Sequence, residues 1–181
     1  MNRRIFQAFV LALIIGLGIW GWMVFFPGPE KAIRRNLQDL ARSVSFAPNE
    51  GPLAKVSNSQ RAVSFCASNV EVVVDVPNYP QQSLASRDEL FQAIMMARAH
   101  LSALKVEFLD INVTLTPGKE SAVANLTARA RIPGDREFQV QELKFSFKKV
   151  GSKWLIRKIE TVKTLSQSHE SRSIGTSFAR G

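Results

Sequence analysis

The sequence predicts an α+β fold: a curved antiparallel sheet packed on about three helices and preceded by one transmembrane helix. Three observations carry this. The chain opens with an uncharged stretch from Ile5 to Phe26. Its first half then alternates helical periods with one short β-branched run. Its second half is a succession of long runs alternating apolar and polar residues, separated by turns rich in Pro and Gly.

At about 1.5 Å per residue the opening stretch covers the roughly 30 Å of a bilayer's hydrocarbon. Trp20 and Trp22 near its end have rings suited to the headgroup layer, and Pro27-Gly28-Pro29 breaks the helix beyond it. The stretch is too long for a cleaved secretory signal, and no small-x-small cleavage site follows. The expected organisation is a short tail (1–4), a transmembrane helix (5–26), one folded domain (27–165) and a disordered tail (166–181). With the tail inside, the domain lies outside the cytoplasm, in the periplasm of a Gram-negative cell.

Composition narrows the chemistry. Lys and Arg number 24 against 15 Asp and Glu, and only Arg3 and Arg4 precede Ile5, so the domain carries the cationic excess. That excess favours anionic neighbours, and for a tethered domain lipid headgroups come before nucleic acid, which is not an expected partner. Cys66 is the only cysteine, which excludes an internal disulfide or a cysteine metal cluster. With His100 and His169 the only histidines and no Gly-rich phosphate loop, neither a histidine metal site nor a Ser-His-Asp triad is expected, and no cofactor is implied.

Each element of the domain has its own signal. Gly28-Pro29-Glu30 starts a helix, with Pro at the first helical position and an acid in the first turn. Ile33, Leu37, Leu40, Ala41 and Val44 form its buried stripe. Ala47 to Val56, with Pro48, Gly51 and Pro52, reads as a loop, and Ser57 with Gln60 as a capping box opening a short second helix that ends near Ser68-Asn69. Val70 to Val76 is the first strand, stopped by Pro77-Asn78-Tyr79-Pro80. Ser86 and Glu89 cap a third helix that buries Leu90, Phe91, Ile94, Ala97, Leu101 and Leu104.

Everything afterwards reads as strand. Val106, Phe108, Ile111, Val113 and Leu115 alternate with one slip between Phe108 and Ile111, the signature of a bulge. Thr116-Pro117-Gly118-Lys119 turns the chain into a strand of small residues, Ala122 to Ile132, which would let a bent sheet approach a helix closely or enclose a cavity. Pro133-Gly134-Asp135 leads to a strand from Glu137 to Lys149, and Val150-Gly151-Ser152-Lys153 to the last, Trp154 to Thr164.

This order, together with Phe65-Cys66-Ala67-Ser68-Asn69-Val70-Glu71-Val72-Val73-Val74-Asp75-Val76-Pro77, Ser86-Arg87-Asp88-Glu89-Leu90 and Val150-Gly151-Ser152-Lys153-Trp154-Leu155-Ile156, resembles the SnoaL-like branch of the NTF2-like superfamily over about Glu30 to Leu165. The resemblance implies a cone with an open mouth, used in that family by isomerases, cyclases and dehydratases or for binding and dimerisation. It places Asp75 where the ketosteroid-isomerase-like members keep a proton shuttle. The tyrosine and the second acid of their oxyanion site have no counterpart. The first helix offers Ile33, Leu37, Leu40 and Val44, Tyr79 falls in a loop, and Leu143 stands where the acid belongs, with Glu142 on the opposite face.

The other candidate surface is basic: Arg129 and Arg131 on one strand face with Lys144, Lys148, Lys153, Arg157 and Lys158 on the last two strands. The expected function is a non-catalytic ligand-binding or protein-assembly module held on a membrane, a layout shared with anchored components of bacterial secretion machines. Its expected partners are lipid through the anchor, a protein or second copy on the sheet face, and a small apolar ligand in the cone. The rival expectation is a SnoaL-like isomerase, cyclase or dehydratase with Asp75 as base.

Overall fold

The computed structural model describes residues 28–75, 82–134 and 138–162. The anchor stretch 5–26, the tail 1–4, the segment Pro77 to Pro80 and the tail 166–181 lie outside these. Among the described residues no helix is long and apolar enough to cross a membrane.

Three helices pack on a curved mixed sheet. Helix α1 (Pro29–Val44) opens as expected, with Pro29 in its first turn, and buries Ile33, Leu37, Leu40 and Ala41. Helix α2 (Pro52–Ser64) departs from expectation at both ends. It begins at Pro52 behind Gly51, because a proline lacking an N–H and fixed in φ suits the first turn; Ser57 lies inside the helix and does not cap it. It stops at Ser64 because the next residues enter a sheet: strand β1 (Cys66–Val74) starts at Cys66, which pairs with Ile156, and the Ile156 N–H donates to the Phe65 carbonyl at 2.9 Å.

A three-residue strand, β2 (Gln82–Leu84), folds back on β1. Helix α3 (Arg87–His100) follows with Ser86 as its N-cap: the Glu89 N–H donates to Ser86 Oγ at 3.2 Å, and the returning Glu89 carboxylate accepts from the N–H of Ala85, one residue before the cap, at 2.8 Å. The helix ends at His100, so Leu104 lies beyond it, bridged to Phe46.

Strands β3 (Lys105–Leu115), β4 (Ser121–Arg131), β5 (Gln139–Val150) and β6 (Lys153–Thr161) complete a sheet of order β2-β1-β6-β5-β4-β3. The register of β3 on β4 jumps between Leu109 and Asn112, with Asp110 at φ 52°, which is the bulge the slipped alternation predicted. The sheet is not purely antiparallel, since β1 runs parallel to β6. The two are far apart in sequence, so no tight turn constrains their direction.

The core lies between α1 and the inner face of β4, β5 and β6. Ile33, Leu37 and Leu40 meet Ala122, Ala124, Leu126, Phe145, Phe147, Trp154 and Ile156. Ala122 and Ala124 are almost fully buried and, having only methyl side chains, let the helix approach the sheet. Phe145 forms the aromatic centre, 5.7 Å from the Phe108 ring at a 60° tilt and 6.4 Å from Phe147. Cys66 is buried among these groups, and desolvation pushes its thiol up to about 12 against a smaller opposing pull from Arg87, so it packs as a small hydrophobe.

Candidate functional site

Asp75 stands immediately after β1 and is exposed. Its backbone N–H donates to Thr161 Oγ1 at 3.1 Å. The alternation that buries Val70 and Val72 turns Glu71 and Val73 to the outer face, where they pair with Lys158 and Glu160 of β6. Asp75 lines none of the clefts described below. The positions from which the resemblance would draw oxyanion donors hold hydrocarbon: Ile33, Leu37 and Leu40 are buried, and Leu143 faces the inner side opposite Leu126. Tyr79 is outside the described residues.

The seven residues of the basic surface do not form one patch. Three are neutralised in ladders across the outer sheet face. Arg129 clasps Glu107, which also takes Lys105 at 2.9 Å; hydrogen bonds from Lys105 and Arg129 hold the Glu107 carboxyl down at about 2. Lys144 reaches Glu160 at 2.9 Å, and Lys158 reaches Glu160 at 3.0 Å and Glu71 at 3.8 Å. Hydrogen bonds from Lys144 and Lys158 lower the Glu160 carboxyl, and the bond to Glu160, with the charges of Glu160 and Glu71, raises Lys158. Arg157 donates to Asn69 Oδ1 at 2.9 Å. Arg131 and Arg129 lie over the half-exposed Phe138 ring at 5.4 and 5.0 Å. Arg131 and Arg157 are exposed without an ion pair among the described residues, and Lys148 and Lys153, at the far end of β5 and β6, are exposed with neither an ion pair nor one of these other side-chain contacts.

The structure adds a cluster that the periodicity did not disclose. Arg98 on α3 is 2 % exposed. Its guanidinium pairs with the Glu50 carboxylate, donates to the Ser43 carbonyl at 2.6 Å and lies over the Phe46 ring at 4.9 Å. Glu50 in turn accepts from Asn58 Nδ2 at 2.7 Å. The cluster ties the α1–α2 loop to α3, and with it the strand-like bridge between Phe46 and Leu104. A signal was present in the sequence: Arg98 lies four residues after Ile94 and seven after Phe91, on the apolar stripe of α3, where a cation requires a buried partner.

Beside this cluster opens a cleft of about 780 Å³, walled by Phe46, Pro48, Ala103 and Leu104, with Lys105 and Arg131 at its edge. Among the described residues its lining can hold an apolar or anionic molecule and contains no paired acid and base. A polar recess of about 300 Å³ sits at the β3 bulge between Asp110, Asn125 and Glu142, and a third cleft, of about 310 Å³, separates α1 from the start of β6. Among the described residues no group of three His, Cys, Asp or Glu could hold a metal ion.

No family model matches the sequence, and no curated protein matches it. Solved structures do match in shape. An NTF2-like protein of unknown function from Pseudomonas putida superposes with a TM-score of 0.61 at 10% identity, over 79% of this chain and 92% of its own. A protein of unknown function with a cystatin-like fold from Nostoc punctiforme gives 0.57 at 11% identity, over 78% and 96%. A protein from Novosphingobium aromaticivorans that bears a provisional scytalone dehydratase name gives 0.54 at 14% identity, over 75% and 83%. Identities this low speak to fold alone. The chain therefore has the cystatin-like α+β fold that NTF2-like proteins share.

Proposed function

We propose that this chain is a single-pass membrane protein whose NTF2-like domain lies outside the cytoplasm and serves as a non-catalytic binding or assembly module. The observation that carries the reading is the setting of Asp75: exposed, with hydrocarbon at the positions that would have to supply oxyanion donors. A base that abstracts a proton beside a carbonyl needs stabilisation of the charge it creates, usually the largest single contribution to such catalysis. The cleft beside Arg98 supports binding rather than reaction, since among the described residues its charged edge is cationic and its walls are apolar.

Crosslinking of the intact protein in its native membrane tests this. A discrete protein adduct, either a second copy or another chain, is the expected result, and Asp75→Asn is expected to leave it unchanged. A small molecule that co-purifies with the wild type and is converted only while Asp75 is intact would overturn the reading in favour of a SnoaL-like isomerase, cyclase or dehydratase.

A further inference from the structure

Seven exposed cations that have no ion pair among the described residues collect at one pole. The β3–β4 and β5–β6 turns lie side by side there: Ser121 pairs with Lys148, and the Lys149 N–H donates to the Glu120 carbonyl at 2.8 Å. The first half of α1 joins them, because Asn36 Nδ2 donates to the Trp154 carbonyl at 3.3 Å. Lys31, Arg34 and Arg35 of α1, Lys119 of the first turn and Lys148, Lys149 and Lys153 around the second are all exposed, and none has an ion pair among the described residues. The acids nearby are Glu30 and Glu120. Val150, 54 % exposed, projects at the tip of the second turn. The contrast with the outer sheet face is chemical: there Glu71, Glu107 and Glu160 pair with the cations, whereas at the pole seven cations face two acids and none is in an ion pair among the described residues.

From this asymmetry we propose that the pole is a docking surface for an anionic lipid leaflet, seating the domain on the membrane that anchors it. The inference rests on reading residues 5–26 as a membrane helix. A chain leaving the bilayer at Pro27 begins α1 two residues later, so the pole stands at headgroup level, within the roughly 8–10 Å over which surface charge acts at physiological salt. Juxtamembrane cations near an anionic leaflet each strengthen attachment about fivefold, and an exposed valine among them can enter the interface. Docking also sets direction. The α1 helix spans about 24 Å along its axis, so the Phe46–Leu104 bridge and its cleft at the opposite end would face away from the lipid, open to an incoming partner.

The full-length chain in nanodiscs tests this, with a spin label at Val150→Cys or, at the other pole, at the exposed Leu53→Cys. Native Cys66 is buried and stays unlabelled. In discs containing phosphatidylglycerol and a trace of nickel-chelating lipid, the label at 150 is expected to relax several-fold faster than in phosphatidylcholine discs, and salt is expected to erase the difference. The label at 53 is expected to relax equally in both. Lys148→Gln/Lys149→Gln/Lys153→Gln, on exposed positions, is expected to lower the ratio of docked to undocked domain on the order of 100-fold. Equal relaxation of label 150 in both discs, in embedded protein, would overturn the docking and leave the anchor standing. A chain that never enters the disc would refute the anchor and the docking with it.

Discussion

Phe145→Ala is expected to cost about 3–5 kcal/mol of folding stability. Phe145 is 1 % exposed in a central strand, opposite Ala124 on one side and Ile159 on the other. Its ring meets Phe108 at 5.7 Å and Phe147 at 6.4 Å. Removing it forfeits the hydrophobic transfer of a full aromatic side chain and leaves a void. The void cannot close cheaply: Ala124 has only a methyl group, too short to extend into it, and the strand is held by hydrogen bonds on both edges. Phe145→Leu keeps most of the volume and is expected to cost within about 1.5 kcal/mol. Chemical denaturation followed by far-ultraviolet circular dichroism measures both. A loss below about 1 kcal/mol for the alanine variant would mean that the aromatic cluster is not the centre of the core.

Arg98→Ala should be comparably damaging, at about 3–5 kcal/mol, for an electrostatic reason. The side chains of Arg98 and Glu50 are 1% and 10% exposed. Truncating the arginine leaves the Glu50 carboxylate and the Ser43 carbonyl without their partner in a poorly solvated place, and removes the guanidinium from the Phe46 ring. Most of that cost is the stranded charge rather than the worth of the pair. The double variant Arg98→Met/Glu50→Leu is therefore expected to recover much of the loss, because two apolar side chains leave no buried charge and Asn58, half-buried, can turn to water. The same denaturation measurement on the two singles and the double closes the cycle. Additive losses would show that the two residues act independently, contrary to the structure. Because this cluster secures the loop carrying Phe46, the single variants are also expected to loosen the wall of the large cleft.

What could be read from the sequence divides along the range of the interaction involved. Local signals were legible. Ser86 and Glu89 cap α3 because the two groups lie within one turn, and the slip in alternation between Phe108 and Ile111 became the bulge at Asp110 because side-chain alternation is a property of the strand itself. The start of α2 was legible too, in the same Gly-Pro signal that opens α1, but at Gly51-Pro52 it read as loop punctuation. The far end of α2 was not legible, because pairing with Ile156, some 90 residues on, claims Cys66 for the sheet. The parallel run of β1 along β6 is hidden for the same reason.

The basic surface shows the limit most clearly. Alternation told which side of each strand Lys144 and Arg129 occupy, but not that registers with β6 and β3 would set Glu160 and Glu107 beside them. Nor could it tell that α1 would lie against the start of β6, bringing its first half to the same end of the domain as Lys153. Arg98 and Glu50, 48 positions apart, meet only in the folded chain.

The tether is tested most directly by washing native membranes with alkaline carbonate. At that pH lysines lose charge and electrostatically held proteins leave, whereas a helix buried in hydrocarbon remains. Full-length protein retained in the membrane pellet is the expected result. Full-length protein released into the supernatant would contradict the anchor and, with it, the confinement from which the proposed function follows.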